Sequence, residues 1–361
     1  MKSHFFFWII IASLSASAQN SSRTIDSLLK ILKKGSHSEQ FERYIMLSDE
    51  YSNSDLNKAE YYSYKALNKA RLVKDDSFIA LSYNNIGNIH QYKSELDSAL
   101  FFHKKTLRLR QSIKDTIGLA DTYNNIGIVY DTKGQYPDAL KYYFKALNFY
   151  ERKGDISKQA MTTTNIGIVY KAQKEYNKAL YYYKRAYELY LKTQNEFGKT
   201  TSAGNLGSIL INFKQYQESL KYSEIARKGF KQLGYNRYEV YPISNIACAY
   251  DSLHQFEFAN KKYAEAIQLF EKYENSYQVA EISNAYANCL IKQKKFNESI
   301  LQSKKALVFA TKAEANVLKV QSYKNLSSAY AKNRNFELAN TYANLYSIGK
   351  DSLFANEKTK V

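Results

Sequence analysis

Apolar residues recur three and four positions apart along most of this chain, which is the spacing of one face of an α-helix. Tyr123, Ile126 and Tyr130, for example, fall on one such face. The sequence Lys-Gly-Gln at residues 133–135 then interrupts the pattern, and a second helical pattern runs over residues 136–153. The pattern therefore predicts a hairpin of two amphipathic helices joined by a short turn.

This hairpin recurs every 40 residues without insertion or deletion. A small-residue column on the first helix follows a divergent Leu47 and reads Gly87, Gly127, Gly167, Gly207, Ala247, Ala287 and Ser327. A second small-residue column, on the second helix, reads Ala59, Ala99, Ala139, Ala179, Ser219, Ala259, Ser299 and Ala339. Hairpins of this kind bury their apolar faces only by stacking on one another. We therefore predict an all-α fold, a right-handed α-solenoid of about eight helix-hairpin repeats.

The residues of the third hairpin carry a family resemblance. The run Asn-Asn-Ile-Gly-Ile-Val-Tyr at residues 124–130, followed by Tyr136, Ala139-Leu140, Tyr143 and Ala146-Leu147, resembles the tetratricopeptide repeat in its 40-residue variety. The resemblance covers about residues 40–347, and the chain is similar to the exported tetratricopeptide sensor region of bacterial signalling proteins. It departs from the family in lacking the usual proline after the second helix.

The resemblance implies that the first helix of each hairpin lines a concave face that binds an extended peptide or protein segment. One column on that helix consists of asparagines, interrupted by Ala285: Asn85, Asn125, Asn165, Asn205, Asn245 and Asn325. Asn84, Asn124 and Asn88 stand beside it. An amide both donates and accepts hydrogen bonds, so it can bind a peptide backbone. Two roles stay open for this ladder, because the same amides can also bond to the neighbouring repeat.

Charged residues suggest a weaker selectivity along the same helices. Asp121 and Asp131 make the early part partly acidic, and the later part is made basic by Lys171, Lys292, Lys324 and Lys332. A ligand with an acidic segment toward the C-terminal half would fit this polarity, although long lysines also lean into solvent.

The net charge of the chain is high but diffuse in the sequence. It amounts to +18, from 52 Lys+Arg against 34 Asp+Glu in 361 residues. No run of about five or six like charges occurs, which favours a solvated outer face over a charged binding site. No clustered basic and aromatic patch is visible in the sequence, so we expect no nucleic-acid partner.

The first residues predict export. Lys2 precedes an apolar stretch over residues 5–14, and the small residues Ala16 to Ala18 suit a cleavage site before Gln19. The expected organisation is a signal peptide over 1–18, an N-terminal helix packing on the first repeat over 19–39, eight repeats over 40–347, and a C-terminal extension or linker helix over 348–361. The expected location is the periplasm or cell envelope, with an uncleaved N-terminal anchor as the alternative.

No catalytic chemistry is apparent. The chain has no Walker-type loop, no nucleophile elbow, no dinucleotide fingerprint and no helical pair of metal-binding histidines. We therefore expect no enzyme activity, no cofactor and no metal. The leading function is a non-catalytic scaffold that holds a protein or peptide segment in the periplasm. The alternative is the sensory region of a membrane histidine kinase or transcriptional regulator whose output domains are absent from this chain.

Overall fold

The computed structural model describes the backbone of residues 16–358 and the side chains of residues 23–353. Within those limits the chain forms seventeen α-helices. A leading helix, α1, covers Ala16–Ile31. The first helices of the hairpins are α2 (His37–Tyr51), α4 (Asp76–Tyr92), α6 (Thr116–Thr132), α8 (Ile156–Ala172), α10 (Glu196–Asn212), α12 (Val240–Ser252), α14 (Ser276–Lys292) and α16 (Asn316–Lys332). The second helices are α3 (Leu56–Val73), α5 (Leu96–Ser112), α7 (Tyr136–Lys153), α9 (Tyr176–Leu191), α11 (Tyr216–Gln232), α13 (Phe256–Lys272), α15 (Phe296–Lys312) and α17 (Phe336–Lys358).

Each first helix packs on the second helix that follows it, and most second helices also contact the next first helix. The prediction of an all-α fold built from repeated hairpins is confirmed for the described residues. The chain divides into two compact units, one ending at Gly198 and the other beginning at Lys199. The predicted signal peptide lies outside the described residues as far as residue 15, and α1 begins at Ala16. Residues 348–358 of the predicted extension continue α17.

The turns inside the hairpins repeat one backbone conformation. Each turn of the second to eighth hairpins contains one left-handed residue, such as Gly134 with φ 72° and His254 with φ 58°. A left-handed residue after a helix lets the next N–H groups bond to the last free carbonyls of that helix. Gln135 N accordingly donates to the Tyr130 carbonyl at 2.9 Å. The unusual conformation of His254 therefore serves the turn.

The small residues of the column on the first helices leave room for the side chains that face them from the second helices. A Cβ added to Gly127 would lie 2.6 Å from Cδ1 of Tyr143, closer than side-chain contacts allow. At Gly87 the residue in that place is His103, whose ring would be 2.7 Å away. Gly87, Gly127 and Gly167 are therefore required because a ring packs directly on the helix backbone, whereas Gly207 faces Ser223. This packing outweighs the low helix propensity of glycine.

One helix begins later than the repeat predicts. By analogy with its neighbours α12 should start near residue 236, yet it starts at Val240. Pro242 explains the difference, because proline lacks an N–H and clashes with the carbonyl four residues earlier. Starting at Val240 places Pro242 in the first turn, where its N–H would have no helical partner in any case.

Candidate peptide-binding surface

The asparagine ladder lies where consecutive first helices meet. Nδ2 of Asn125 on α6 donates to Oδ1 of Asn84 at 3.1 Å and to Oδ1 of Asn88 at 3.3 Å, both on α4. Nδ2 of Asn165 on α8 donates in the same way to Oδ1 of Asn124 at 3.4 Å. These two amides therefore link the third hairpin to the second and the fourth hairpin to the third.

The same link occurs in both units, although with different acceptors. Nδ2 of Asn325 donates to the carbonyl and to Oδ1 of Asn284, each at 3.0 Å, and Asn325 is buried. Nδ2 of Asn85 donates to a carboxylate oxygen of Asp49 at 3.2 Å. Although part of the Asp49 residue is exposed, partial desolvation of its carboxylate raises its pKa to about 6, and the Asn85 hydrogen bond lowers it by less.

Sequence reasoning missed Asp49 and Asn284 as partners of the ladder. A signal was available, because Asn84, Asn124 and Asn284 recur at intervals that are multiples of 40 residues. Each lies 41 residues before a ladder asparagine, and this separation joins facing positions on consecutive first helices.

Two ladder members differ from the other four. Asn205 on α10 and Asn245 on α12 are half-buried. In the described part of the chain neither side chain makes a hydrogen bond, whereas Asn85, Asn125 and Asn165 each donate to a preceding hairpin. Their amides keep their full capacity to donate and accept.

The predicted acidic positions have different environments. Asp121 is half-buried, and one of its oxygens accepts from the Tyr150 hydroxyl at 2.7 Å and from Nζ of Lys158 at 2.7 Å. Because Lys158 neutralises it, Asp121 adds little net negative charge to the first helices. The prediction that Asp131 makes this surface acidic is wrong, since its side chain is completely buried.

Asp131 is buried near Tyr143 and Tyr183, which belong to the second helices. Its two carboxylate oxygens have no hydrogen-bond partner among the described residues. Burial raises its pKa to about 8, and the interaction with Tyr143 offsets only part of that rise. The equivalent residue of the second unit, Asp251, instead has a cation partner, because Nζ of Lys292 lies 2.8 Å away. Asp131 and Asp251 occupy equivalent positions of their repeats, yet only Asp251 forms an ion pair.

The predicted basic positions are more accessible. Lys324 and Lys332 are exposed on α16, and Lys171 is half-buried at the end of α8. Lys292 is exposed as well, although its charge is paired with Asp251. The basic surface near the C-terminal end of the array therefore depends on Lys324 and Lys332.

The cysteines are packing residues in this structure. Cys289 is buried and Cys248 is half-buried, with its sulfur 3.6 Å from the Tyr263 hydroxyl. Burial raises the pKa of Cys248 to about 11. Among the described residues, no three His, Cys, Asp or Glu side chains form a cluster suited to a metal ion. In the same part of the chain, no helix combines the length and the apolar character needed to cross a membrane.

A known family profile matches the second to fourth hairpins of this chain. The profile of the tetratricopeptide repeat matches the chain over residues 78–152 and again over residues 118–192. Residues 78–192 are tetratricopeptide repeats. They comprise the second, third and fourth hairpins, including the residues that carried the resemblance in the sequence. A comparison with curated proteins finds no match.

Solved structures share this fold over most of the chain. The apo form of the quorum sensor NprR from B. thuringiensis is 17% identical, covers 92% of this chain and 99% of its own, and has a TM-score of 0.61. A Rap protein complexed with competence and sporulation factor is 12% identical, covers 93% of this chain and 99% of its own, and has a TM-score of 0.58. A signal-transduction ATPase with a tetratricopeptide repeat sensor from Pyrococcus horikoshii is 17% identical, covers 91% of this chain and 46% of its own, with a TM-score of 0.61. At these identities the likeness shows the fold alone.

Proposed function

We propose that this chain is a non-catalytic scaffold whose first helices bind an extended protein or peptide segment. The observation that carries the proposal is that some asparagines of the ladder form hydrogen bonds to a neighbouring hairpin and others do not. Four of its asparagines bond to the preceding hairpin, and Asn205 and Asn245 make no such bond in the described residues. Two half-buried amides in consecutive hairpins offer a donor and an acceptor each, which suits the backbone of an extended chain.

The engaged amides support the same role in a different way. Asn125 and Asn165 each use Nδ2 for the link to the preceding hairpin, and no side chain or backbone group of the described residues donates a hydrogen bond to their Oδ1 atoms. Their carbonyl oxygens can therefore accept from a ligand while their Nδ2 atoms hold the helices together. The two roles left open by the sequence are compatible at these positions.

The similar Rap protein was solved in complex with competence and sporulation factor. That complex agrees with the proposal that the related fold here binds a polypeptide. Lys324 and Lys332 favour a ligand with acidic residues near the C-terminal end of the array, because both are exposed and neither forms an ion pair within the described part of the chain.

Replacing Asn205 and Asn245 by alanine tests the role of the ladder. Peptides can be selected from a random displayed library on the purified chain, and the dissociation constants of the selected pool can then be measured. We expect each substitution to weaken binding about 2–10-fold, the effect of one neutral hydrogen bond. The urea midpoint should not change, because neither amide links two hairpins.

Two controls make the result decisive. Asn68→Ala and Asn148→Ala remove exposed amides from second helices and should leave peptide binding unchanged. Asn325→Ala should lower stability, because it removes two hydrogen bonds between hairpins. Equal peptide binding by the Asn205→Ala and Asn245→Ala variants and the parent chain would contradict the proposal.

We further propose that this scaffold works in the periplasm or cell envelope, on the signal-peptide pattern of residues 1–18. Its second candidate role is that of a sensory region, favoured by the quorum sensor and the repeat sensor among the similar folds. N-terminal sequencing of the protein from fractionated cells tests the location. A mature terminus at Gln19 in the periplasmic fraction would support export, and an intact Met1 in the cytoplasm would contradict it.

A further inference from the structure

The second helices of the first unit expose two columns of unusual composition. The columns contain residues 61, 101, 141 and 181, and residues 64, 104, 144 and 184, and all eight are exposed. Five are aromatic, with exposed fractions between 38% and 59%: Tyr61, Tyr64, Phe101, Phe144 and Tyr181. The other three are Lys104, Lys141 and Lys184. We name these eight residues the aromatic–lysine belt.

Side chains join the helices that carry the belt. The ring of Tyr64 on α3 lies 6.4 Å from the ring of Phe102 on α5. The ring of Phe144 on α7 lies 6.2 Å from that of Tyr182 on α9. Ring contacts therefore join α3 to α5 and α7 to α9, the helices that carry the belt. A group of exposed large apolar side chains is typical of a surface that contacts a partner or a membrane.

The charge around the belt is mainly positive. Among the exposed residues of α3, α5, α7 and α9, only Asp97, Glu151 and Glu188 are acidic. Asp97 is ion-paired with Lys133, and Glu151 with Arg185. None of the three belongs to the belt, so a negatively charged surface can approach it without repulsion from a belt residue.

Lysines also cover some of the exposed rings. Nζ of Lys105 lies 4.4 Å from the ring centroid of Phe101, and Nζ of Lys65 lies 5.2 Å from that of Tyr61. A single-stranded nucleic acid binds aromatic platforms by stacking its bases on free ring faces. Here a lysine ammonium group occupies one face of the Phe101 and Tyr61 rings. This arrangement favours a partner that contacts the edges of the rings with apolar groups and binds the ammonium groups with anionic groups.

We propose that the aromatic–lysine belt is a docking surface for an anionic lipid bilayer. Tyr and Phe rings partition into the interface between headgroups and acyl chains. Lysines beside them bind lipid phosphates, and the lysine stems follow the apolar side. The second helices would thus lie on the bilayer without crossing it.

The second unit lacks the belt, which provides an internal control. At the corresponding positions of α11, α13 and α15 stand Lys221, Glu224, Lys261, Ala264, Leu301 and Lys304. Leu301 is exposed, but none of the six residues is aromatic. The 40-residue period therefore does not by itself produce the belt. The composition is a property of the first unit.

Vesicle co-sedimentation of the whole chain tests the proposal. Vesicles of phosphatidylcholine alone are compared with vesicles in which about a third of the lipid is phosphatidylglycerol. We expect the anionic vesicles to sediment more of the chain than the neutral vesicles do, because the apolar residues 5–14 can bind both kinds equally. The variant Lys104→Glu, Lys141→Glu and Lys184→Glu should bind at least about 100-fold more weakly, because each lysine near an anionic surface contributes about fivefold.

A second variant tests the rings, and a third serves as the control. Replacing Tyr61, Phe101, Phe144 and Tyr181 by serine should also reduce sedimentation with anionic vesicles to the level seen with neutral vesicles. Lys221→Glu, Lys261→Glu and Lys304→Glu in the second unit make the same charge change and should retain binding. Residues 5–14 are present in every variant, so their own lipid affinity cancels. Circular dichroism checks that each variant folds.

Three results would overturn the proposal. They are equal binding to neutral and anionic vesicles, equal weakening by the second-unit control, and retention of a single-stranded oligonucleotide at the belt without any vesicle binding.

The proposal does not depend on peptide binding, because Asn205 and Asn245 are unchanged in the belt variants. Peptide capture should persist in those variants.

Discussion

Asp131→Asn is expected to stabilise the chain by about 2–4 kcal/mol at pH 9 and to have a much smaller effect at pH 5. The carboxyl is buried, and burial raises its pKa to about 8. An aspartate in the unfolded chain has a pKa of about 3.9. The folded state therefore binds this proton more tightly than the unfolded state does.

The sign of the pH dependence follows from that difference. The contribution of Asp131 to stability is fully present below about pH 4 and is lost as the pH rises through about 8. Above that pH the parent chain carries an unpaired buried charge, whereas the asparagine variant does not. Asp49 titrates in the same direction, with its pKa raised to about 6, but it is common to both proteins.

Urea denaturation followed by circular dichroism at pH 5 and pH 9 measures this effect. Asp251→Asn is the matched control, because Asp251 occupies the same column but lies 2.8 Å from Nζ of Lys292. Removing that charge leaves Lys292 without its partner, so this variant should be less stable than the parent chain at pH 9. If both variants respond alike, the environment of Asp131 does not determine the pH dependence.

Tyr143→Ser is expected to destabilise the chain by about 3–5 kcal/mol, the range for truncating a large buried aromatic side chain. Tyr143 is fully buried against the backbone of α6, where a Cβ on Gly127 would lie 2.6 Å from its ring. Gly127→Ala alone should cost about 1–3 kcal/mol, because the ring must move.

The two changes together should cost less than their sum. With the ring removed, the methyl group of Gly127→Ala has room, and the pair then resembles Ala287 and Ser303, which occupy these columns in the second unit. Contacting residues typically show such coupling. Gly204→Ala is the control, since its added Cβ would lie 3.5 Å from Ala226, an ordinary contact. Gly204→Ala should stabilise α10 by about 0.5–1 kcal/mol. If the free-energy changes of Gly127→Ala and Tyr143→Ser simply add in the double variant, the proposed packing of the Tyr143 ring on Gly127 is contradicted.

Much of the fold could be predicted from the sequence because the information is local and repeated. The helical spacing around Ile126 identifies a helix, and eight copies of the hairpin reinforce one another. The late start of α12 was not predicted, although Pro242 is visible in the sequence. A single proline in one repeat is outweighed by seven copies that agree with the general pattern.

For the candidate site, the sequence predicted only that the asparagines recur at equivalent positions of the repeats. The sequence placed Asn125 and Asn245 in equivalent positions, but it did not show that Asn125 donates to Asn84 and that Asn245 makes no corresponding bond. The acceptor lies on another helix 41 residues away, and its identity varies from one hairpin to the next. A repeat pattern reports what is common to the copies, whereas the hydrogen bonds depend on what differs between neighbours.

The sequence by itself determined the helices, the hairpins and the small-residue columns, because each depends on spacing within about 40 residues of one chain segment. Only the tertiary structure decided which charges are buried, which amides are engaged and where the aromatic–lysine belt lies. Asp131 and Asp251 look alike in the sequence, yet only Asp251 meets a lysine. Residues of different repeats become neighbours only when the hairpins stack, and stacking brings side chains together that the sequence keeps far apart.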